Sequence, residues 1–92
     1  MTAEPITFSI DQVRELTDYI GREIVRRPGV EIDEDTPLVS SGLVDSFALI
    51  QVFLELQKII NCRIPASKVR AREMDTIRLM FAMAQRMGTP KP

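Results

Sequence analysis

The sequence predicts an all-α fold: a small four-helix bundle of three main helices and one short one, with a long ordered loop between the first two. Three observations carry this. Apolar residues recur at helical spacing in three separate segments. No convincing run alternates apolar with polar in the manner of a half-buried strand. The stretch 28–45, PGVEIDEDTPLVSSGLVD, has no helical period, yet Leu38, Val39, Leu43 and Val44 punctuate it with groups able to pin it to a core. The 92 residues suffice for one domain with a single core, and 45% hydrophobic with 27% charged content is that of a folded chain. Residues 8–88 are expected to form the domain, with 1–7 and 89–92 as tails.

The first helix opens with a capping box, Ser9 with Gln12, and Phe8 is placed to staple onto Val13. Val13, Leu16, Tyr19 or Ile20, and Ile24 with Val25 follow at core spacing. Gly21 weakens the middle by about 1 kcal/mol relative to Ala. Pro28-Gly29 should stop the helix, with Arg26-Arg27 at the negative end of its dipole. In the loop that follows, Asp33, Asp35 and Thr36 offer turn-forming side chains, and Pro37 and Gly42 mark further turns.

The second helix is expected from Ser46 to about Ile60, with Asp45 as its N-cap. At about 100° per residue, Leu49, Val52, Phe53, Leu56, Ile59 and Ile60 fall on one broad arc, the core face. Ala48, Gln51, Glu55 and Lys58 mark the wet arc. Phe47, Ile50 and Leu54 form a second apolar strip, so apolar surface wraps more than half of the helix. That strip either packs on the loop residues Leu38, Val39 and Leu43 or stays exposed as a contact surface.

Asn61 ends the second helix and Arg63-Ile64-Pro65 leads out of it. Residues 66–72 are read as the short helical turn, with Val69 buried. Asp75 is expected to cap the last helix, TIRLMFAMAQRM, whose core positions are Ile77, Met80, Phe81, Ala84 and Met87. Met74 and Met83 are read with these as core filling. Gly88 should be the C-terminal stop, and residues 89–92 should fray.

Composition excludes much chemistry. With no His and a single Cys, this chain cannot build a Ser-His-Asp or Cys-His relay, nor a zinc site of four Cys/His ligands. We assign no catalytic residue and no metal ligand. Cys62, unable to pair internally, suits a reducing compartment and reads as a small buried hydrophobe. No run reaches the roughly 20 apolar residues of a membrane span, and the N-terminus does not read as a signal peptide, so a cytoplasmic location is expected. Charge is uneven. Residues 1–60 hold 5 Lys/Arg against 11 Asp/Glu, a net of −6, and residues 61–92 hold 7 against 2, a net of +5.

Ser46 stands out by placement, at the start of a helix directly after an acidic cap. The positive end of a helix stabilises a phosphate through its free N–H groups and its dipole, so a hydroxyl there can anchor a phosphodiester. On that physics alone, ordinary helix capping is the better explanation of the pair, because Ser and Asp are generic at helix starts.

The segment Ser41-Gly42-Leu43-Val44-Asp45-Ser46-Phe47, followed by an apolar helix, resembles the phosphopantetheine attachment site of acyl and peptidyl carrier proteins. The resemblance spans about residues 8–87. It implies a four-helix acyl-carrier-protein-like bundle, with 4′-phosphopantetheine from coenzyme A attached to Ser46 and an acyl or aminoacyl group carried as a thioester on its thiol. It implies as partners a phosphopantetheinyl transferase, an adenylating ligase and a downstream acyltransferase or synthase. Asp45 would position the transferase or its metal ion, and Phe47, Ile50 and Leu54 would be read by partners. The interval Gly42-Leu43-Val44-Asp45-Ser46 is one residue longer than in fatty-acid carriers. It is similar to that of D-alanyl and other stand-alone aminoacyl carriers, as are Leu54-Glu55-Leu56-Gln57, Ile64-Pro65 and Asp75-Thr76. This favours an amino acid as cargo over a fatty-acyl or polyketide chain; a monomer is expected, though not from this spacing.

The chain also departs from the family. Phe47 stands where Leu or Met is usual, and Glu73-Met74 occupies the region where D-alanyl carriers commonly place a Trp. The second helix carries only Glu55, answered by Lys58, where most carriers are strongly acidic. Apolar contact is therefore the expected docking mode. The basic set Arg63, Lys68, Arg70 and Arg72 reads first as a solvated face, and otherwise as a docking surface for an acidic partner or a nucleotide. Two other functions compete. A helix-turn-helix drawn through 66–87 would bring Arg70, Arg72, Arg78 and Arg86 to nucleic-acid phosphates, against the overall charge of −1. A plain interaction domain without the arm is the other.

Overall fold

A computed structural model describes residues 8–27 and 29–90. Helix α1 runs Ile10–Tyr19 and continues without a break into a π-helical segment, Ile20–Val25. Helix α2 spans Ser46–Ile60 and helix α3 spans Ile77–Met87. The three helices enclose one core, in which Leu16, Ile20, Val52, Leu56, Ile77 and Met80 are wholly buried.

The capping box at the start of α1 forms as the sequence predicts. Gln12 N–H donates to Ser9 Oγ at 3.1 Å, and Ser9 N–H donates to Gln12 Oε1 at 2.8 Å. Phe8 and Val13 are both partly buried against the core, and Phe8 meets the Phe81 ring edge-on at 5.3 Å. The expected continuous α-helix changes its winding at Ile20, where Arg26 N–H reaches back five residues to Gly21 O. The wider turn brings Ile20 and Val25 to the core together, which α-winding at about 100° per residue would not do. Arg26 closes this segment in the left-handed region at φ 51°. Pro28, expected to contribute to the stop, lies outside the described residues.

Helix α2 forms with the expected bounds. Val52, Leu56 and Ile60 are buried and Leu49, Phe53 and Ile59 are partly buried, so the predicted core arc is the core face. Asn61 closes it with φ 52°, the left-handed cap that Asn tolerates.

Two details after α2 differ from expectation. The short helix is two 3-10 turns, Ala66–Lys68 and Ala71–Met74, separated by extended backbone at Val69 and Arg70. Val69 is only half buried, and Met74 is the side chain that enters the core. The tail also does not fray throughout: Thr89–Pro90 pairs antiparallel with Cys62–Arg63, in the register Cys62 to Pro90 and Arg63 to Thr89. Gly88 ends α3 as expected, but at φ −73°, in extended backbone rather than the left-handed region, where the chain turns into that strand. A Cβ there would lie 2.5 Å from Ala84 O, and close backbone packing is what requires glycine.

Candidate functional site

The site is built at the N-terminus of α2. Asp45 is in extended conformation, and its carboxylate accepts from Ala48 N–H at 2.8 Å, the N-cap bond expected of it. Ser46 is therefore the first residue of a 15-residue helix, and it is exposed. Its hydroxyl stands where the helix dipole and the first-turn N–H groups favour an anionic ester.

The loop that delivers Ser46 is ordered, and its pins can be named. Leu38 and Val44 are buried, and Val44 N–H donates to Leu38 O at 2.9 Å, closing a tight loop directly ahead of Asp45. Gly42 turns that loop with φ 82°, which costs an L-residue energy. Val39 is half buried, and Leu43 packs partly against the core.

Asp75 does not cap α3. Thr76 does, its Oγ1 accepting from Leu79 N–H at 3.1 Å. The Asp75 carboxylate instead crosses to the loop, where Oδ1 accepts from Val39 N–H at 2.9 Å and Ser40 N–H at 2.8 Å. Its Oδ2 accepts from Ser40 Oγ at 2.8 Å. These bonds, Ser40 N–H foremost, hold the Asp75 carboxyl below the usual carboxylate range against the opposing effect of burial, which outweighs each of the other bonds taken singly. Farther back, Arg78 grips Asp35 in a two-point pair at 2.7 and 3.1 Å and reaches Glu34 at 3.2 Å. The hydrogen bond from Arg78 lowers the Asp35 pKa, and Asp35 in turn raises that of Arg78. Sequence reasoning missed both contacts. Asp75 and Thr76 each stand where a cap could, and only the position of the loop decides between them.

The second apolar strip of α2 is not packed under the loop. Phe47 is 83% exposed and Ile50 and Leu54 are each 60% exposed. Beside it an open cleft of about 400 Å³ runs from Ser46 between α2 and the 3-10 turns. Leu49, Ile50, Phe53, Leu54 and Met74 line it, and Arg70 is its one charged residue. Sequence reading places neither Met74 nor Arg70 here: Met74 ends the second 3-10 turn, Arg70 lies in the extended link between the two turns, and both line the cleft.

Arg63, Lys68, Arg70 and Arg72 are exposed, and among the described residues none joins an ion pair. Arg78 and Arg86, the other half of the cationic face drawn for nucleic acid, are paired with Asp35 and Glu34 and with Glu73. The 3-10 winding before α3 also leaves no helix to serve as the first of a helix-turn-helix. Cys62 is buried, as expected of a small hydrophobe. Among the described residues no group of three or more His, Cys, Asp or Glu could hold a metal ion, and no helix is long and apolar enough to cross a membrane.

An exposed hydroxyl at a helix N-terminus, flanked by a capping acid and an apolar cleft, suits covalent attachment of a phosphate-linked, partly apolar group. The family described as PP-binding, phosphopantetheine attachment site, matches residues 14–84. No curated protein and no solved structure matches the chain.

Proposed function

The chain belongs to the phosphopantetheine-attachment family, and from that premise we propose that Ser46 is the attachment residue and that the cargo on the arm is an amino acid. Members of this family are carrier proteins with no catalysis of their own; a transferase attaches the 4′-phosphopantetheine covalently, and partner enzymes act on what it carries. When bound, the arm supplies a thiol that holds an acyl group in activated form at a distance from the protein.

The observation that carries the assignment of Ser46 is its position as the exposed first residue of α2, directly after the capping Asp45. The helix terminus would favour the phosphate electrostatically, and Asp45 keeps that terminus wound. The residues fit the group: Leu49, Ile50, Phe53 and Leu54 offer an apolar wall beside the attachment point. The amino-acid reading is supported by the interval from Gly42 to Ser46 and by the motifs that follow it in order.

Partners are proposed to read Asp45, Phe47, Ile50 and Leu54. Three large apolar side chains exposed along one helix face support an interaction surface. The loading partner is proposed to be an adenylating ligase and the receiving partner an acyltransferase or synthase, with the carrier acting as a monomer in the cytoplasm.

The test is intact mass after incubation with coenzyme A and a promiscuous phosphopantetheinyl transferase, with Ser46→Ala alongside. A gain of one phosphopantetheine by the wild type alone is expected; a gain by Ser46→Ala would refute the assignment. Loading the modified protein with amino-acid and fatty-acid ligases then decides the cargo.

A further inference from the structure

The loop ahead of Ser46 has no regular structure of its own, yet it must hold a reacting hydroxyl in place. One residue from much later in the chain, Asp75, supplies four of its hydrogen bonds. The Asp75 carboxylate takes the N–H groups of Val39 and Ser40 and the hydroxyl of Ser40, and the Asp75 carbonyl accepts from Leu38 N–H at 2.7 Å. Four hydrogen bonds thus fix three consecutive loop residues. From Leu38 the restraint passes to Val44 N–H, then to the Asp45 cap, then to Ser46. Asp75 is free for this because Thr76 caps α3 in its stead.

We infer that Asp75 is a positioning residue for modification of Ser46, acting through the backbone of residues 38–44. The inference rests on the reading of Ser46 as the attachment residue. In that reaction Ser46 Oγ forms a bond to the phosphorus that bears pantetheine, the pyrophosphate bond of coenzyme A breaks, and 3′-phospho-AMP leaves. The serine proton passes to a base of the transferase or to water, and nothing is oxidised or reduced. Asp75 touches none of these atoms; it sets where Oγ stands when the docked carrier meets coenzyme A.

A displaced nucleophile and a partly unfolded carrier have different kinetic signatures. Unfolding lowers the concentration of competent carrier, which raises KM for the carrier and leaves kcat unchanged. Misplacement of Ser46 on an intact docking surface lowers kcat and leaves KM alone, and a shift of about 1 Å at a reacting centre can cost on the order of 100-fold.

The experiment is steady-state transfer from coenzyme A to the full chain by a transferase, on wild type, Asp75→Ala, Asp75→Asn, Ser40→Ala and Ser46→Ala. Asp75→Ala is expected to lose roughly 10- to 100-fold in kcat at unchanged KM. Asp75→Asn keeps an oxygen for both backbone N–H groups and should stay near wild type, as should Ser40→Ala. Amide exchange at Val39 and Ser40 should quicken in Asp75→Ala while α3 stays protected. Should Asp75→Ala not fold, the same split is read from Asp75→Glu, which keeps the charge and moves both oxygens by one methylene. A wild-type kcat in the substituted protein, or a change confined to KM, overturns the inference while the attachment residue stands. Modification of Ser46→Ala, or none of the wild type, overturns both.

Discussion

Two apolar residues on either side of the tight loop should respond oppositely to truncation. Leu38 is 0% exposed and Phe47 is 83% exposed. Leu38→Ala removes three buried carbons from a site whose neighbours are held by hydrogen bonds on both sides, so the space can close only in part. Substitutions of this kind cost about 2–5 kcal/mol. Taking about 3 kcal/mol, and a shift of roughly 4–8 °C in Tm per kcal/mol for a domain of this size, Leu38→Ala should melt about 12–24 °C below the wild type. A domain holding about 5–14 kcal/mol in total would remain folded at 25 °C. Phe47→Ala loses little burial, and Ala is the better helix former, so its stability should lie within about 0.5 kcal/mol of wild type. The assay is thermal and urea unfolding followed by circular dichroism, with transferase activity on both proteins. Phe47→Ala should melt like the wild type and be modified more slowly through a raised KM. A loss above about 1.5 kcal/mol in Phe47→Ala, or below about 1 kcal/mol in Leu38→Ala, would refute the account of which residue pins the loop and which is left for partners.

Other outcomes follow from the same geometry. Asp45→Ala should cost about 1 kcal/mol through loss of the α2 cap, whereas Asp45→Asn keeps the cap and should be nearly neutral in unfolding; slower modification of the Asn variant at wild-type stability, with the Ala variant slowed as well, would assign the charge itself to partner recognition. Gly42→Ala, at φ 82° with open space around it, should cost about 1–2 kcal/mol from backbone strain alone, measured by urea unfolding. Asp75 and Asp35 both have folded-state pKa values below their ordinary ones, so each contributes stability that is complete above the ordinary carboxylate value of about 4 and is lost as pH falls through the depressed value. Melting scans from pH 7 to pH 2.5 should show that acid-side loss. Asp75→Asn should remove part of it, and salt should shrink the share that belongs to the exposed Arg78–Asp35 pair.

Much of the molecule is legible in the sequence because its signals are local. The capping box at Ser9, the Asp45 cap, the bounds of α2 and its core arc each depend on residues within a turn or two of one another, where helix geometry leaves little choice. The candidate attachment point is legible for the same reason: cap, hydroxyl and helix start are consecutive. Where the local signal was ambiguous the sequence failed. The π-winding after Ile20 is set by which side chains must reach the core, a demand made by α2 and the loop rather than by the segment itself. The 3-10 turns before α3 and the strand pairing at Thr89 depend in the same way on neighbours distant in the chain.

The sequence alone thus determined the helical class, the hydroxyl at the head of α2 and the apolar strip beside it, because short-range periodicity and capping chemistry specify each. Only the tertiary structure decided that the strip stays in solvent, that Arg70 and Met74 complete the cleft, and that Asp75 holds the loop while Thr76 caps the helix. An exposed strip and a buried one have the same periodicity, and two adjacent capping residues satisfy the same helix end. The difference lies in what the rest of the chain brings alongside, and residues far apart in sequence settle that by competing for the same core and the same hydrogen bonds.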